Sequence, residues 1–90
     1  MTLTDEQFHA ISRAIADPRR FAILQQVAAS NVITCGALNE HQNISPATMS
    51  HHIKELVEAG LIDSERDGRV MNLTLRRPTW TAYHQRLAAL

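Results

Sequence analysis

The fold is decided by one stretch of the chain, residues 44–75, which reads ISPATMSHHIKELVEAGLIDSERDGRVMNLTL. Ser45-Pro46 predicts a helix start, because serine caps helix N-termini and proline is favoured at the first helical position. Gly60 predicts the end of that helix, since glycine is common just past a helix C-terminus. Two strand-like runs follow on either side of Asp67-Gly68, a loop that type I′ hairpins favour. The stretch therefore predicts a helix followed by a β-hairpin.

Four further helices are predicted around this stretch, each opened by a capping or proline signal. They begin after Thr4, which forms a capping box with Gln7, at Asp17-Pro18, after Thr34, and at Pro78. The second helix of the chain is expected to turn one apolar face to the core: Phe21, Leu24, Val27 and Ala28. The predicted fold is mainly α with a β-hairpin wing, a winged helix-turn-helix in the order α-α-α-α-β-β-α.

Composition restricts the classes of protein to which the chain can belong. Its 90 residues are enough for a single domain, residues 1–90, and nine basic against nine acidic side chains give zero formal net charge. The one cysteine allows no disulfide within the chain. No apolar run is long enough to span a membrane, and the first residues have no signal-peptide pattern. We therefore expect a cytoplasmic domain without a membrane partner.

The third and fourth helices, joined by a short turn, have the arrangement that presents a helix to the DNA major groove. The outward side of the fourth helix is small and polar, as contacts to base edges and phosphates require, and the hairpin carries arginines. An ordinary solvated helix face is the alternative. The residues on the outward side of the fourth helix are Ala47, Thr48, Ser50, His51 and Lys54.

Other polar residues of this region have a structural interpretation. His52 borders the apolar face of the fourth helix and is interpreted as a structural, hydrogen-bonded histidine at the core, with a DNA contact as the alternative. Arg19 and Arg20 are interpreted as surface partners of Asp17 or another acid, with contact to the DNA backbone as the alternative. No nucleophile with an orienting group and no glycine-rich phosphate loop is present, so we expect no catalytic residue and no enzyme.

The chain resembles the ArsR family of winged-helix repressors in three segments: AIADPRRFAIL (residues 14–24), ISPATMSHHIKELVEAGLI (residues 44–62) and RDGRVMNLTL (residues 66–75). The resemblance implies a homodimer that binds an inverted repeat in double-stranded operator DNA. It also implies that Ser45, Thr48, Ser50, His51 and Lys54 contact that DNA, that Arg66 and Arg69 contact it from the wing, and that an effector releases it. With Ala47, these are the candidate DNA-binding residues. The runner-up function is a winged-helix protein-interaction module that does not bind DNA.

The metal sites that the resemblance implies lack their ligands in this sequence. One family site uses Cys-x-Cys at the start of the third helix, where this chain has Thr34 and Gly36 with Cys35 between them. The other takes acids and histidines from the last helix, where His84 stands alone. We therefore expect no metal and no cofactor, and the effector stays unidentified. A metal-responsive repressor with a non-standard site is a further alternative.

The terminal helices, about residues 4–16 and 78–90, are apolar on one side and are expected to form a two-fold dimer interface. The alternative is that they only complete the core of a monomer. The predicted interface residues are Phe8, Ile11, Ile15, Trp80, Tyr83, Leu87 and Leu90.

Overall fold

Five helices and three strands form the protein in a computed structural model that describes residues 1–90. The predicted succession of helices and hairpin is confirmed, with one strand added. No helix has both the length and the apolar character needed to cross a membrane. In chain order the elements are α1 (Asp5–Ile15), α2 (Pro18–Ala28), β1 (Ile33–Thr34), α3 (Cys35–Gln42), α4 (Pro46–Glu58), β2 (Ile62–Asp67), β3 (Val70–Leu75) and α5 (Arg77–Ala88).

Side-chain caps fix the starts of α1, α2, α3 and α4, whereas α5 has no side-chain cap. The Thr4 hydroxyl accepts from the Gln7 amide at 3.1 Å, and the Gln7 side chain accepts from the Thr4 amide at 2.8 Å, which completes the capping box. Asp17 accepts from two backbone amides of α2, and the hydroxyls of Thr34 and Ser45 each accept from an amide of the helix that follows. Each cap satisfies amides that the helix itself leaves unpaired.

The strand β1 is missing from the predicted order. Ile33 and Thr34 pair antiparallel with Leu73 and Asn72 of β3, so the sheet has the order β1-β3-β2. Two residues are too few to produce the alternation by which a strand is recognised in a sequence. The pairing buries Ile33 and ties the segment between α2 and α3 to the hairpin.

The hairpin loop lies one residue later than predicted. Asp67 pairs with Val70 in the last rung of the ladder, so the two loop residues are Gly68 and Arg69. Gly68 has a φ of 62°, whereas the φ of Arg69 is not positive. A type I′ turn needs positive φ at both loop positions and a type II′ turn only at the first. The predicted type I′ turn is therefore wrong, and the dihedral pattern is that of type II′.

The hairpin continues almost directly into the last helix. β3 ends at Leu75, the Arg76 amide donates to the Leu61 carbonyl at 2.8 Å, and α5 begins at Arg77. A single residue therefore joins the wing to α5.

The core lies between the helices and one face of the sheet, and it contains 14 buried apolar residues. Leu38, Leu56 and Leu73 are completely inaccessible to solvent. One predicted face is wrong in detail, because α2 buries Ile23 while Phe21 is 36% exposed. Residues two positions apart point to nearly opposite sides of a helix, so the orientation of α2 that buries Ile23 leaves Phe21 exposed.

The terminal helices α1 and α5 pack against each other at the edge of the core. Ile11 is completely buried, and Tyr83 is 4% exposed. The Tyr83 hydroxyl is 2.9 Å from that of Ser12, and its ring centroid is 5.0 Å from that of Phe8. Ile11 and Tyr83 were expected in a dimer interface, but they have little or no surface left to offer a partner, because packing within the protomer already covers them. We correct the predicted interface by removing these two residues.

Candidate nucleic-acid interface

A three-residue turn, residues 43–45, joins α3 to α4 and sets the direction of α4. Asn43 adopts the left-handed conformation (φ 50°, ψ 48°), and its amide donates to the Asn39 carbonyl at 3.1 Å. Asparagine tolerates this conformation better than other residues with a side chain, apart from aspartate. The Ser45 hydroxyl then accepts from the Thr48 amide at 3.2 Å and starts the next helix. The turn and the cap together give the helix-turn-helix that the sequence predicts.

The helix α4 separates a buried side from a polar exposed side. Met49, Ile53 and Leu56 are 1%, 8% and 0% exposed and anchor the helix to the core. The Thr48 hydroxyl is half-buried and accepts from the Ser45 hydroxyl at 2.9 Å. The other predicted contact residues of this helix and its cap are exposed: Ser45, Ala47, Ser50, His51 and Lys54.

The wing presents two exposed arginines that make no ion pair. Arg66 lies on β2 opposite Met71, and Arg69 lies in the loop at the tip. Arg76, at the foot of the wing, differs from them because its Nε is 3.7 Å from an Asp63 carboxylate oxygen. The guanidinium groups of Arg66 and Arg69 are therefore free to contact an external anion.

A polar cleft of about 500 Å³ lies between the start of α2 and the turn before α4. Arg19, Asn43, Ser45 and Thr48 are among the residues that line it. The Arg19 side chain is exposed and makes no ion pair or hydrogen bond, so the predicted pairing with Asp17 is wrong for this residue. The exposed, unpaired Arg19 is therefore consistent with the alternative interpretation from the sequence, in which this residue contacts the DNA backbone.

The Arg20 guanidinium is bound within the protomer, to the end of α1 and to Asp17. Its Nε donates to the Ala14 carbonyl at 2.8 Å, and an Nη donates to the Arg13 carbonyl at 3.3 Å. Its other Nη is 3.9 Å from an Asp17 carboxylate oxygen, as predicted. The backbone hydrogen bond from Arg20, with smaller help from the amide of Arg19 and the Arg20 charge, holds the pKa of Asp17 below its ordinary value of 3.8. Arg20 therefore closes the end of α1 and leaves Arg19 as the free cation.

His52 is buried beneath the exposed face of α4. It is 6% exposed, and its Nδ1 has no hydrogen-bond partner, so the predicted burial is confirmed while the predicted hydrogen bond is absent at that nitrogen. Burial lowers the pKa of His52 from its ordinary value of 6.5, and the positive charge of Arg20 adds to this, whereas Asp17 opposes it. The lowered pKa favours the neutral form of His52, and the ring lies behind the polar face rather than being part of it.

Cys35 is half-buried at the start of α3. Burial raises the pKa of its thiol, and the nearby charge of Arg66 partly offsets the rise. Within the protomer, no three histidine, cysteine, aspartate or glutamate side chains come together in an arrangement that would hold a metal ion.

An apolar surface remains on the terminal helices after the protomer has folded. Leu87 is 42% exposed, Leu90 is fully exposed, and Phe8, Ile15 and Trp80 are half-buried. The Arg86 guanidinium lies 4.2 Å from the centre of the Phe8 ring and also pairs with Asp5. These contacts hold α5 against α1 and leave the apolar side of α5 facing outward near its end.

Comparison with known proteins gives consistent matches. A family described as a helix-turn-helix domain matches residues 15–65. The HTH-type transcriptional regulator YceK of Bacillus subtilis is 36% identical over 85 residues, which cover 92% of this chain and 85% of that protein. The transcriptional repressor SdpR of the same organism is 35% identical over 65 residues, covering 72% and 71%. A crystal structure of an ArsR family transcriptional regulator superposes with a TM-score of 0.85 at 28% identity, covering 99% of this chain and 91% of that one.

Proposed function

The chain belongs to the ArsR family of winged helix-turn-helix transcriptional regulators, and we propose that it is a repressor that binds an inverted repeat in double-stranded DNA as a homodimer. The observation that carries the proposal is the exposed polar side of α4 together with three arginines that make no ion pair. Arg19 lies beside the start of α4, and Arg66 and Arg69 lie on the wing. Proteins of this family are transcriptional regulators, and we propose no catalytic residue for this chain.

The helix α4 is the element that enters the major groove. An α-helix with its side chains is about 10–12 Å across and the groove is about 12 Å wide, so the fit requires small side chains on the approaching face. Ala47 and Ser50 supply them, and His51 and Lys54 reach further toward base edges and phosphates. Because Met49 and Leu56 anchor the opposite side, the helix can be pressed into the groove without exposing the core.

Cations on both sides of α4 position the helix on the duplex. Arg19 lies beside its N-terminal end, and Arg66 and Arg69 lie on the wing. Phosphate contacts from such residues fix register and orientation but carry no sequence information, which base contacts supply. With zero formal net charge on the chain, affinity has to come from this local placement rather than from a general positive field.

The dimer is built from the terminal helices. The residues that keep exposed or half-exposed apolar surface there are Phe8, Ile15, Trp80, Leu87 and Leu90, and we propose that they pack about a two-fold axis. A two-fold pair places its two reading helices in successive major grooves about 34 Å apart. Operator symmetry then follows from protein symmetry.

Selection of bound duplexes from a random DNA pool, at about 0.15 M salt, tests the proposal. We expect an inverted repeat with half-sites one helical turn apart. Lys54→Ala and Arg66→Ala should each weaken binding to that duplex while the fold and the dimer stay intact, whereas Arg13→Ala serves as the matched control. Arg13 is an exposed cation on α1 that lines a cleft with Glu55 and Glu58, away from the start of α4.

The zero net charge favours one other candidate, a winged-helix interaction module that binds another protein. The same selection separates the two. Folded protein that enriches no duplex, or Lys54 and Arg66 variants with unchanged affinity for the selected site, would overturn DNA binding in favour of the module.

A further inference from the structure

A cavity of about 470 Å³ lies between α4 and the wing, on the opposite side of α4 from Arg19. Its inner surface is apolar, with Ile53 and Val57 from α4 and Met71 from β3. Ile53 is 8% exposed, and the other two are half-buried. The sulfur-bearing side chain of Cys35 completes this surface at the start of α3. The volume is within the range of about 300–1,000 Å³ that small-molecule sites occupy.

The rim of the cavity carries more positive than negative charge. Lys54 and Arg66 stand at the rim, and Glu58 is the one acidic residue there. Glu58 lies 4.0 Å from the Lys54 ammonium in a pair whose members are both largely exposed, so the attraction is weak. Arg66 makes no ion pair at all, and its guanidinium can form two parallel hydrogen bonds with a carboxylate. The rim is therefore complementary to an anion.

We propose that this cavity binds a small carboxylate with an apolar body. The body would lie on Ile53, Val57 and Met71, and the carboxylate would accept hydrogen bonds from Arg66, with Lys54 adding charge. A neutral molecule of the same shape would leave Arg66 unpaired, and a small inorganic anion would leave the apolar surface uncovered. The charge of the rim therefore favours an anionic group, and the apolar inner surface favours an apolar body.

Occupation of the cavity opposes DNA binding, because Lys54 and Arg66 are also proposed DNA contacts. A guanidinium held by a carboxylate is no longer free for a phosphate, and coupling between two ligands is reciprocal. DNA should therefore weaken carboxylate binding by the same factor by which the carboxylate weakens DNA binding. This consequence rests on the proposed function, whereas binding to the cavity does not.

The single cysteine of the chain provides a direct measurement, since Cys35 lines the cavity. The probe is 1-naphthoate, and the readout is the rate at which iodoacetamide alkylates the native protein at pH 8.5, followed by mass spectrometry. We expect naphthoate at saturation to slow alkylation at least fivefold, and the neutral 1-naphthamide to have little effect. The concentration dependence of protection gives the dissociation constant.

Two wing variants separate the cavity from general charge effects. Arg66→Gln should weaken naphthoate binding roughly tenfold or more, as expected for loss of a charge-assisted hydrogen bond. Arg69→Gln removes the same charge from the wing tip, outside the cavity, and should leave the dissociation constant unchanged. Absence of protection up to 5 mM naphthoate, equal protection by the amide, or equal loss in both variants would each overturn the proposal.

Competition with the selected operator duplex tests the coupling separately. Saturating naphthoate should raise the apparent dissociation constant for DNA. Protection of Cys35 in a protein that binds no duplex would leave the cavity assignment supported and the repressor function refuted. Operator binding that naphthoate leaves unchanged, despite protection, would refute the coupling.

Discussion

The hydroxyl groups of Ser12 and Tyr83 lie 2.9 Å apart and join α1 to α5 across 71 positions of the chain. Tyr83 also packs against the rings of Phe8 and Trp80, with centroid distances of 5.0 and 5.7 Å. A buried hydroxyl needs a partner, so this bond fixes where α5 sits before any second copy is bound. The helix that is proposed to carry the dimer interface is therefore oriented by its own protomer.

Replacing Tyr83 with phenylalanine keeps the ring packing and removes the shared hydrogen bond. We expect the free energy of unfolding to fall by about 1 kcal/mol, the usual net value of such a bond. The double variant Ser12→Ala/Tyr83→Phe should lose less free energy of unfolding than the sum of the losses in the two single variants, because both remove the same hydrogen bond. Urea unfolding of all three variants at one fixed protein concentration measures this. Strictly additive effects would show that the two hydroxyls are not coupled.

Adjacent arginines on α2 should give opposite phenotypes. Arg19→Ala is expected to weaken operator binding and to make the log–log salt slope shallower by about 0.9, the change for one lost phosphate contact, with unfolding unaffected. Arg20→Ala is expected to lower the free energy of unfolding, because two carbonyls at the end of α1 lose their donor. Fluorescence anisotropy over a salt series and urea unfolding measure the two effects. Equal loss of DNA affinity with intact folding in both variants would contradict the assignment.

Charge placed on the apolar end of α5 should prevent dimerisation. Leu87→Glu puts a carboxylate in the proposed interface, so we expect a monomer in sedimentation equilibrium and at least a tenfold loss of operator affinity. Val32→Glu is the matched control, since Val32 is 54% exposed and lies before β1, away from the terminal helices. A Leu87→Glu protein that still sediments as a dimer would place the interface elsewhere.

Stability should decrease as the pH falls below about 6.5, because of His52. The folded protein holds the pKa of His52 below its ordinary value of 6.5, so the unfolded chain takes up the proton first and acid favours unfolding. Asp17 contributes in a separate window, below its ordinary value of 3.8, since its pKa is also lowered. His52→Gln should flatten the dependence between pH 7.5 and 5.5 in urea unfolding. An unchanged slope in the variant would assign the effect to another group.

Local signals in the sequence predict most of the architecture. Proline and capping residues predict each helix start, and Gly60, whose φ is 79°, predicts the end of α4. These features act within a few residues of themselves and need no tertiary contact. The strand β1 is different, because Ile33 and Thr34 become a strand only when β3 lies beside them. The loop register likewise depends on how β2 pairs with β3, which shifts the turn to Gly68 and Arg69.

The sequence predicts the residue types of the candidate site, but it does not predict which of its side chains make ion pairs or hydrogen bonds. The exposed and buried sides of α4 follow from helical spacing alone. Arg19 is left without a partner because Arg20, and not Arg19, reaches the carbonyls at the end of α1. That contact depends on the geometry of the turn between α1 and α2, which no local sequence signal specifies. The burial of Ile11 and Tyr83 depends in the same way on how α1 and α5 meet.

The junction between the wing and α5 determines more than the path of the chain. Arg76 alone separates the strand that supports the wing from the helix that would meet the partner, and its amide is tied to Leu61. Each added residue would turn a helix by about 100° relative to what precedes it. In the proposed dimer, a one-residue insertion at this junction would change the distance and angle between the two reading helices. The preferred distance between operator half-sites in that dimer would therefore be set by a segment outside the reading helix.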